Sequence, residues 1–267
     1  MAKPEVSIIC TCYNLGRYLA EALESIKVQD YTNWECIILD DGSTDETKKI
    51  ANEYVLQDSR FRYIYQNNQG VVVARNNAIK AAIGKYIISV DSDDRITKDC
   101  LDLCVRRMKE SNSKLVFFDA KYFGDKEGLV SLPDYSFRKL LAGNCIPVFG
   151  MFKREDFLKT QGYNLNMKNG YEDWDFWITL LQDRGKVEKI NRVLYFYRKK
   201  KGSRNIEVKK KERELFANIV RNHPYIYYEQ YCSLLNDYNN IVNSKAFPIF
   251  IFFNKIIKAL KYLLRKV

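Results

Sequence analysis

The chain has 267 residues, 46% of them apolar, which is enough for an α/β domain with an appendage and too apolar for a disordered chain. Its start, Met-Ala-Lys-Pro-Glu, runs into a strand-like segment without the apolar stretch of a signal peptide. No 18-residue stretch lacks charge, so a conventional membrane span is not expected and the cytoplasm is. The formal charge of +11 is uneven, because from Arg184 onward 20 Lys and Arg stand against 6 Asp and Glu. Such a basic third suits phosphate, nucleic acid or anionic lipid, and equally a solvated face.

The elements follow in order. Val6–Cys12 is a β-branched apolar run and predicts a strand. Tyr18–Lys27 carries Leu19, Ala22, Leu23 and Ile26 at helical spacing. Cys36–Leu39 predicts a second strand, closed by Asp40-Asp41-Gly42-Ser43-Thr44-Asp45. Asp45–Leu56 predicts a helix, Arg62–Tyr65 a strand, Val72–Ile83 a helix ended by Gly84, and Tyr86–Val90 a fourth strand. This alternation implies a parallel sheet with helices on both faces, and ligands beyond the carboxyl ends of its strands. Thr11–Asn14, Asp40–Asp45 and Asp91–Asp94 all follow strands, so they are expected to converge on one crevice.

A helix over Lys98–Glu110 and a strand over Leu115–Phe118 come next, then a less regular stretch over 119–147. Val148–Phe152 predicts a strand and Arg154–Thr160 a short helix. Gly162–Gly170 is a loop leading to Tyr171-Glu172-Asp173-Trp174, which opens a helix. Val187–Phe196 predicts a strand, followed by Arg198-Lys199-Lys200-Lys201-Gly202-Ser203, and the pattern beyond Glu207 is helical. The seven cysteines include no Cys-x-x-Cys pair and are expected as reduced core thiols. The single histidine, His223, stands apart from the polar clusters, which removes histidine catalysis and a histidine-rich zinc site.

Asp91-Ser92-Asp93-Asp94 ends an apolar strand. In extended chain Asp91 and Asp93 point the same way, an arrangement suited to a hard divalent cation that also holds a nucleotide-linked diphosphate. The same acids also suit a helix N-terminus. Asp40 or Asp41 can accept from a base imide or a ribose hydroxyl, and Ser43 or Thr44 can cap the next helix. Arg75 and Asn76 are placed to reach a nucleotide.

Taken together, Val6-Ser7-Ile8-Ile9-Cys10-Thr11-Cys12-Tyr13-Asn14, Leu39-Asp40-Asp41-Gly42-Ser43-Thr44-Asp45, Asn68-Gln69-Gly70 with Ala74-Arg75-Asn76, and Asp91-Ser92-Asp93-Asp94 resemble family-2 glycosyltransferases over roughly residues 4–200. The resemblance implies an α/β GT-A fold, mostly parallel in its central sheet, with a C-terminal helical extension. It places the catalytic domain at 1–205, with a donor half at about 1–97 and an acceptor half at about 98–205, and the basic extension at 206–267. It implies a UDP-sugar or other nucleotide-sugar donor, a Mn2+ or Mg2+ ion, and inverting transfer of a hexosyl or N-acetylhexosaminyl group to a glycan or lipid-linked glycan. By that match Thr11, Tyr13, Asp40, Asp41, Arg75 and Asp91 contact the nucleotide, and Asp93, with Asp91, holds the metal. Asp173 matches the general base, with Glu172 and Trp174 orienting the acceptor.

Arg198 and Lys200 are expected on the diphosphate. The Tyr197-Arg198 and Gly202-Ser203 frame is similar to that of related enzymes, but lysines stand where those often carry a His. The tail PIFIFFNKIIKALKYLLRKV sets Lys255, Lys258, Lys261 and Arg265 on one helical face. This suits an anionic membrane interface at the inner face of the plasma membrane, or docking on the domain or in a homodimer. Cell-surface polysaccharide or lipid-linked oligosaccharide synthesis is the expected setting, with a non-catalytic nucleotide-sugar-binding scaffold as the alternative. Nucleic acid is not expected as a partner, since no reading motif accompanies the basic third.

Overall fold

The computed structural model describes residues 3–200, 208 and 210–244. The first half builds β1 (Val6–Cys12), α1 (Gly16–Lys27), β2 (Trp34–Asp41), α2 (Thr47–Gln57), β3 (Phe61–Gln66), α3 (Val71–Ala81) and β4 (Tyr86–Ser89). Then come β5 (Arg95–Ile96), α4 (Cys100–Ser111), β6 (Leu115–Gly124), β7 (Gly128–Leu129) and α5 (Phe137–Ala142). β8 (Met151–Lys153), α6 (Arg154–Leu158), α7 (Glu172–Leu181) and β9 (Val187–Lys199) complete the sheet and its helices. Two further helices cover Glu212–Asn222 and Pro224–Val242.

The strand order is β3-β2-β1-β4-β8-β6-β9-β5, with β7 on the side of β6. β3, β2, β1 and β4 run parallel, as the strand–helix alternation requires. β6 and β9 form a second parallel pair. Short β8 lies antiparallel to both β4 and β6 and joins the two blocks. β6 and β9 run longer than their apolar cores, into Tyr122, Phe123, Tyr197 and Arg198. In both strands the polar residues continue the sheet, because their partners across the ladder supply hydrogen bonds that burial alone does not signal.

Cys10, Cys12, Cys36, Cys100 and Cys104 lie in the main core beside Val6, Ile8, Leu19, Leu23 and Ile38, and all seven cysteines are free. The described residues divide into two compact units, one ending at Asn222 and one beginning at His223. The helix Glu212–Asn222, placed by sequence in the extension, belongs to the first unit, where Leu215 and Ile219 are buried and Asn222 donates to Asp175 at 2.8 Å. In the second unit the helix Pro224–Val242 starts on a proline and exposes Tyr225, Tyr228 and Tyr238. Among the described residues no helix is long and apolar enough to cross a membrane. The expected basic helix over 248–267 and the Gly202-Ser203 pair lie outside the described residues.

The amino ends of the parallel strands are tied by a buried polar knot. Ser7 donates to Glu35 Oε1 at 2.6 Å and accepts from the Gly84 amide at 2.8 Å. Glu35 also accepts from the Ile83 amide and pairs with Arg62, each at 2.7 Å. A β-carbon on Gly84 would stand 2.6 Å from Ser7 Oγ and 2.8 Å from the Val6 carbonyl carbon. Gly84→Ala is therefore expected to destabilise the fold by about 1–3 kcal/mol, the cost of overpacking a site that cannot yield. A thermal melt checks this, and an unchanged Tm would show that β1 and β4 part there freely.

Candidate active site

At the carboxyl ends of β1, β2 and β4 a cavity of about 750 Å³ opens, lined among others by Thr11, Tyr13, Asp41, Arg75, Asp91 and Asp93. Its other wall brings Asn144, Tyr171, Glu172, Asp173, Arg198 and Lys200. The residues named from three separate strand ends and from the Glu172-Asp173 turn thus meet in one place.

Adjacent Asp40 and Asp41 divide. Asp40 is fully buried, accepts from the Ser43 amide at 2.8 Å and the Tyr63 hydroxyl at 2.7 Å, and is not among the cavity-lining residues. Within the fold this carboxylate, expected on the nucleotide, is engaged by the Ser43 turn and by Tyr63 of β3. Asp41 lines the cavity and shapes its floor, accepting from the amides of Gln69 and Gly70 at 2.9 and 2.8 Å and from Gln66 at 2.7 Å. Gly70 takes a φ of 87°, which lets this loop curl over the carboxylate. Tyr13 leaves half its surface open beside Thr11, so its ring is free to stack on a planar base.

Arg75, expected on the nucleotide, bridges two carboxylates of the chain. Its guanidinium, only 5% exposed, donates to Asp91 Oδ1 and to Glu172 Oε1, both at 2.9 Å. Burial opposes its charge, but the two carboxylates hold it ionised. Asn76 turns away from the cavity and brackets Tyr163, donating to its carbonyl and accepting from its amide at 2.9 Å each.

The acidic cluster is a turn closed by the Asp94 amide on the Asp91 carbonyl at 3.0 Å, not extended chain, and Asp91, Ser92 and Asp93 all line the cavity, Ser92 the most deeply buried of the three. Tyr195 braces the turn, its hydroxyl accepting from the Asp91 amide at 3.1 Å and donating to Asp94 Oδ2 at 2.9 Å. Burial, and then the charges of Asp91 and Asp93, push the Asp94 carboxyl well above the usual carboxylate range. Asp94 also accepts from the Arg198 amide at 2.7 Å, so it supports the cluster from behind.

The basic end of β9 meets this cluster. Arg198 Nε donates to the Asp93 carbonyl at 2.8 Å, its other arm pairs with Glu21, and its plane lies over Tyr18 and Phe123. The guanidinium expected on a diphosphate is thus engaged within the fold. Lys200 Nζ lies 2.5 Å from Asp93 Oδ2. Asp91 and Asp93 supply hard oxygen donors of the kind Mn2+ and Mg2+ take. Among the described residues no group of three His, Cys, Asp or Glu forms a cage.

Gly170 and Tyr171 both take positive φ, 139° and 58°, the latter uncommon for an aromatic side chain. This turn starts α7 on Glu172 and delivers Asp173 to the cavity. Asp173 Oδ1 accepts from the Trp174 amide at 2.8 Å, and Oδ2 from Asn144 at 3.0 Å. Burial, then Glu172, push the Asp173 carboxyl up to about 6, while Arg75 and the two hydrogen bonds pull it back. Asn144 escaped sequence reading because it sits in the irregular stretch after α5 with no motif around it. Trp174 rotates away from Asp173, donates to the Leu140 carbonyl at 2.6 Å and packs on Phe216. It lines a separate 260 Å³ cavity with Ala142 and Glu212, and not the one holding Asp173.

The model of the Glycosyl transferase family 2 matches residues 7–167. Chondroitin synthase of Escherichia coli is 34% identical over 197 residues, covering 72% of this chain and 28% of that protein. The chain therefore spans under a third of that relative. Staphylococcus aureus TarS 1–349, solved with UDP-GlcNAc, superposes with a TM-score of 0.66 at 19% identity, over 82% of this chain and 72% of that one. The Pyrobaculum calidifontis mannosyltransferase PcManGT, solved with GDP-Man and Mn2+, gives 0.61 at 16% identity, over 100% of this chain and 89% of that one. These two likenesses are of fold, and the fold is GT-A.

Arg75→Met leaves two carboxylates facing each other across a buried gap. The expected loss is about 3–5 kcal/mol, with Arg75→Lys intermediate because one ammonium cannot span both acids. Urea denaturation checks the order, and equal midpoints for all three proteins would remove the bridge from the stability of the fold.

Proposed function

The chain belongs to glycosyl transferase family 2, and from that premise we propose that it transfers a sugar, with inversion, from a UDP-sugar or other nucleotide sugar to a glycan hydroxyl. Cell-surface polysaccharide or lipid-linked oligosaccharide synthesis at the cytoplasmic face of the membrane is the setting. The observation that carries this reading is the single cavity in which Asp91 and Asp93 stand on one wall and Asp173 on another. Residues from 1 to about 97, joined by Lys200 from the end of β9, recognise the donor, and the rest of about 98–205 the acceptor.

Each residue then has a task. Tyr13 and Thr11 hold the nucleoside over the floor shaped by Asp41. When bound to Asp91 and Asp93, Mn2+ or Mg2+ supplies Lewis-acid neutralisation of the leaving diphosphate. Lys200 offers that diphosphate a cationic donor. Asp173 takes the proton of the acceptor hydroxyl as its oxygen attacks the anomeric carbon from the face opposite the diphosphate. Asn144 and the Trp174 amide hold the carboxylate in one orientation, so its remaining lone pairs face the cavity. A carboxyl raised toward 6 is a stronger base than an ordinary aspartate and is still ionised at neutral pH. Glu172, paired with Arg75, sets the field around it.

Purified protein with Mn2+ is expected to hydrolyse one or more members of a UDP-sugar panel slowly, and Asp173→Asn to lower that rate by about 10²–10⁴-fold while UDP still binds. Transfer at the wild-type rate by Asp173→Asn would exclude the mechanism. Because the base works deprotonated, kcat/KM rises with pH through about 6 and levels off above it. Glu172 raises that value by like-charge repulsion, so Glu172→Gln moves the acidic limb to lower pH. A pH–rate profile of both proteins checks the direction.

A further inference from the structure

On the reading that Asp91 and Asp93 take a divalent cation, the remaining oddity of the cavity is Lys200. Its ammonium already sits on Asp93 Oδ2 at 2.5 Å, with side chains only 25% and 18% exposed. The contact is not that of a loose surface lysine. The adjoining Arg198 is fixed by its amide on Asp94 and its Nε on the Asp93 carbonyl, at 2.7 and 2.8 Å. Lys200 Nζ and the Arg198 guanidinium both lie over the Tyr18 ring, at 5.0 and 4.6 Å from its centre. Asp91 is likewise engaged, by Arg75 at 2.9 Å. Before any ligand arrives, each of the two carboxylates therefore has a cation from the chain itself.

Of these cations, Arg75 is buried and held on both arms, whereas Lys200 stands at the cavity wall on a flexible stem. An ammonium has no lone pair for a metal and repels one through its charge. We infer that Lys200 and the divalent cation are alternative occupants of the Asp93 carboxylate, so that the metal enters with the nucleotide diphosphate and not ahead of it. The diphosphate is what releases the lysine. It offers the ammonium a new anionic partner within the same cavity, and Asp93 is vacated as the phosphates arrive. Metal and nucleotide then strengthen each other's binding by one and the same factor, as linkage demands. Without the lysine the metal binds unaided, and that mutual gain shrinks.

The test is a Mn2+ titration, read from the electron paramagnetic resonance signal of the free ion, with and without UDP. Wild type, Lys200→Met, Lys200→Arg and Asp93→Asn are compared, each first checked for an unchanged melting curve. Without UDP, Lys200→Met is expected to bind Mn2+ at least tenfold more tightly than wild type, with Lys200→Arg close to wild type and Asp93→Asn weakest. UDP should tighten Mn2+ binding by a larger factor in wild type than in Lys200→Met. Equal or weaker Mn2+ binding by Lys200→Met without UDP overturns the inference, and if Asp93→Asn alone loses the ion, the metal site survives that result. Absence of Mn2+ uptake by wild type and Lys200→Met even with UDP removes the metal site and the inference together.

Discussion

Arg75 reaches Asp91 with one nitrogen and Glu172, 97 residues further along the chain, with another. The end of β4 and the start of α7 both carry acids, and both open on the same cavity. Brought together without a cation they would repel one another in a space with little water to screen them. The buried guanidinium is what allows the two acidic ends to share one crevice. The left-handed turn at Tyr171, the loop that Asn76 pins at Tyr163 and the bracing of Asp94 by Tyr195 all hold pieces that this pairing brings close.

The charges are sorted by depth. Carboxylates lie inward, on the floor and at the start of α7, and amines come from the end of β9 at the wall. An acidic crevice by itself would repel a nucleotide diphosphate, which carries the same sign. Lys200 corrects that locally, and the ion proposed for Asp91 and Asp93 does so more strongly. Asp173 lies apart from these cations apart from Arg75, and its proton affinity rises because burial and Glu172 dominate there. One cavity thus holds carboxylates in two electrostatic settings, suited to different tasks.

Much of this was legible because apolar runs that end in acids are unusual. Tyr86–Ser89 followed by Asp91 and Asp93, or Trp34–Asp41 with its two terminal acids, announce strand ends that face a polar space. Six of the seven cysteines are buried as expected, and Cys232, on the helix Pro224–Val242, is the exception at half-buried. What stayed hidden was orientation at one-residue resolution. Asp40 and Asp41 are chemically identical neighbours, and only the pairing with β3 decides which one meets Tyr63 and which the cavity. Trp174 follows Asp173 on a helix, so a turn of about 100° per residue sends it into the core instead of the cavity. Arg198 and Lys200 share a basic run, yet Glu21 on α1 claims the first. Asn144 had no pattern at all, since a lone amide gains meaning only from the carboxylate it touches.

The thin antiparallel strand β8 has a consequence for how such a chain can vary. It touches β4 through Tyr86–Lys153 and Ile87–Phe152, and β6 through Leu115–Phe152 and Val116–Met151. Ladders this short give recombination a natural place to cut, with the cavity floor on one side and the β6–β9 block on the other. Grafting a different second block onto the same floor must still match the side-chain seams that cross between them. They include the salt bridge from Arg75 to Glu172, the amide clasp between Asn76 and Tyr163, and the grip of Tyr195, Arg198 and Lys200 on the Asp91–Asp94 turn. A second block that keeps those grips can reshape the far wall of the cavity without rebuilding its floor.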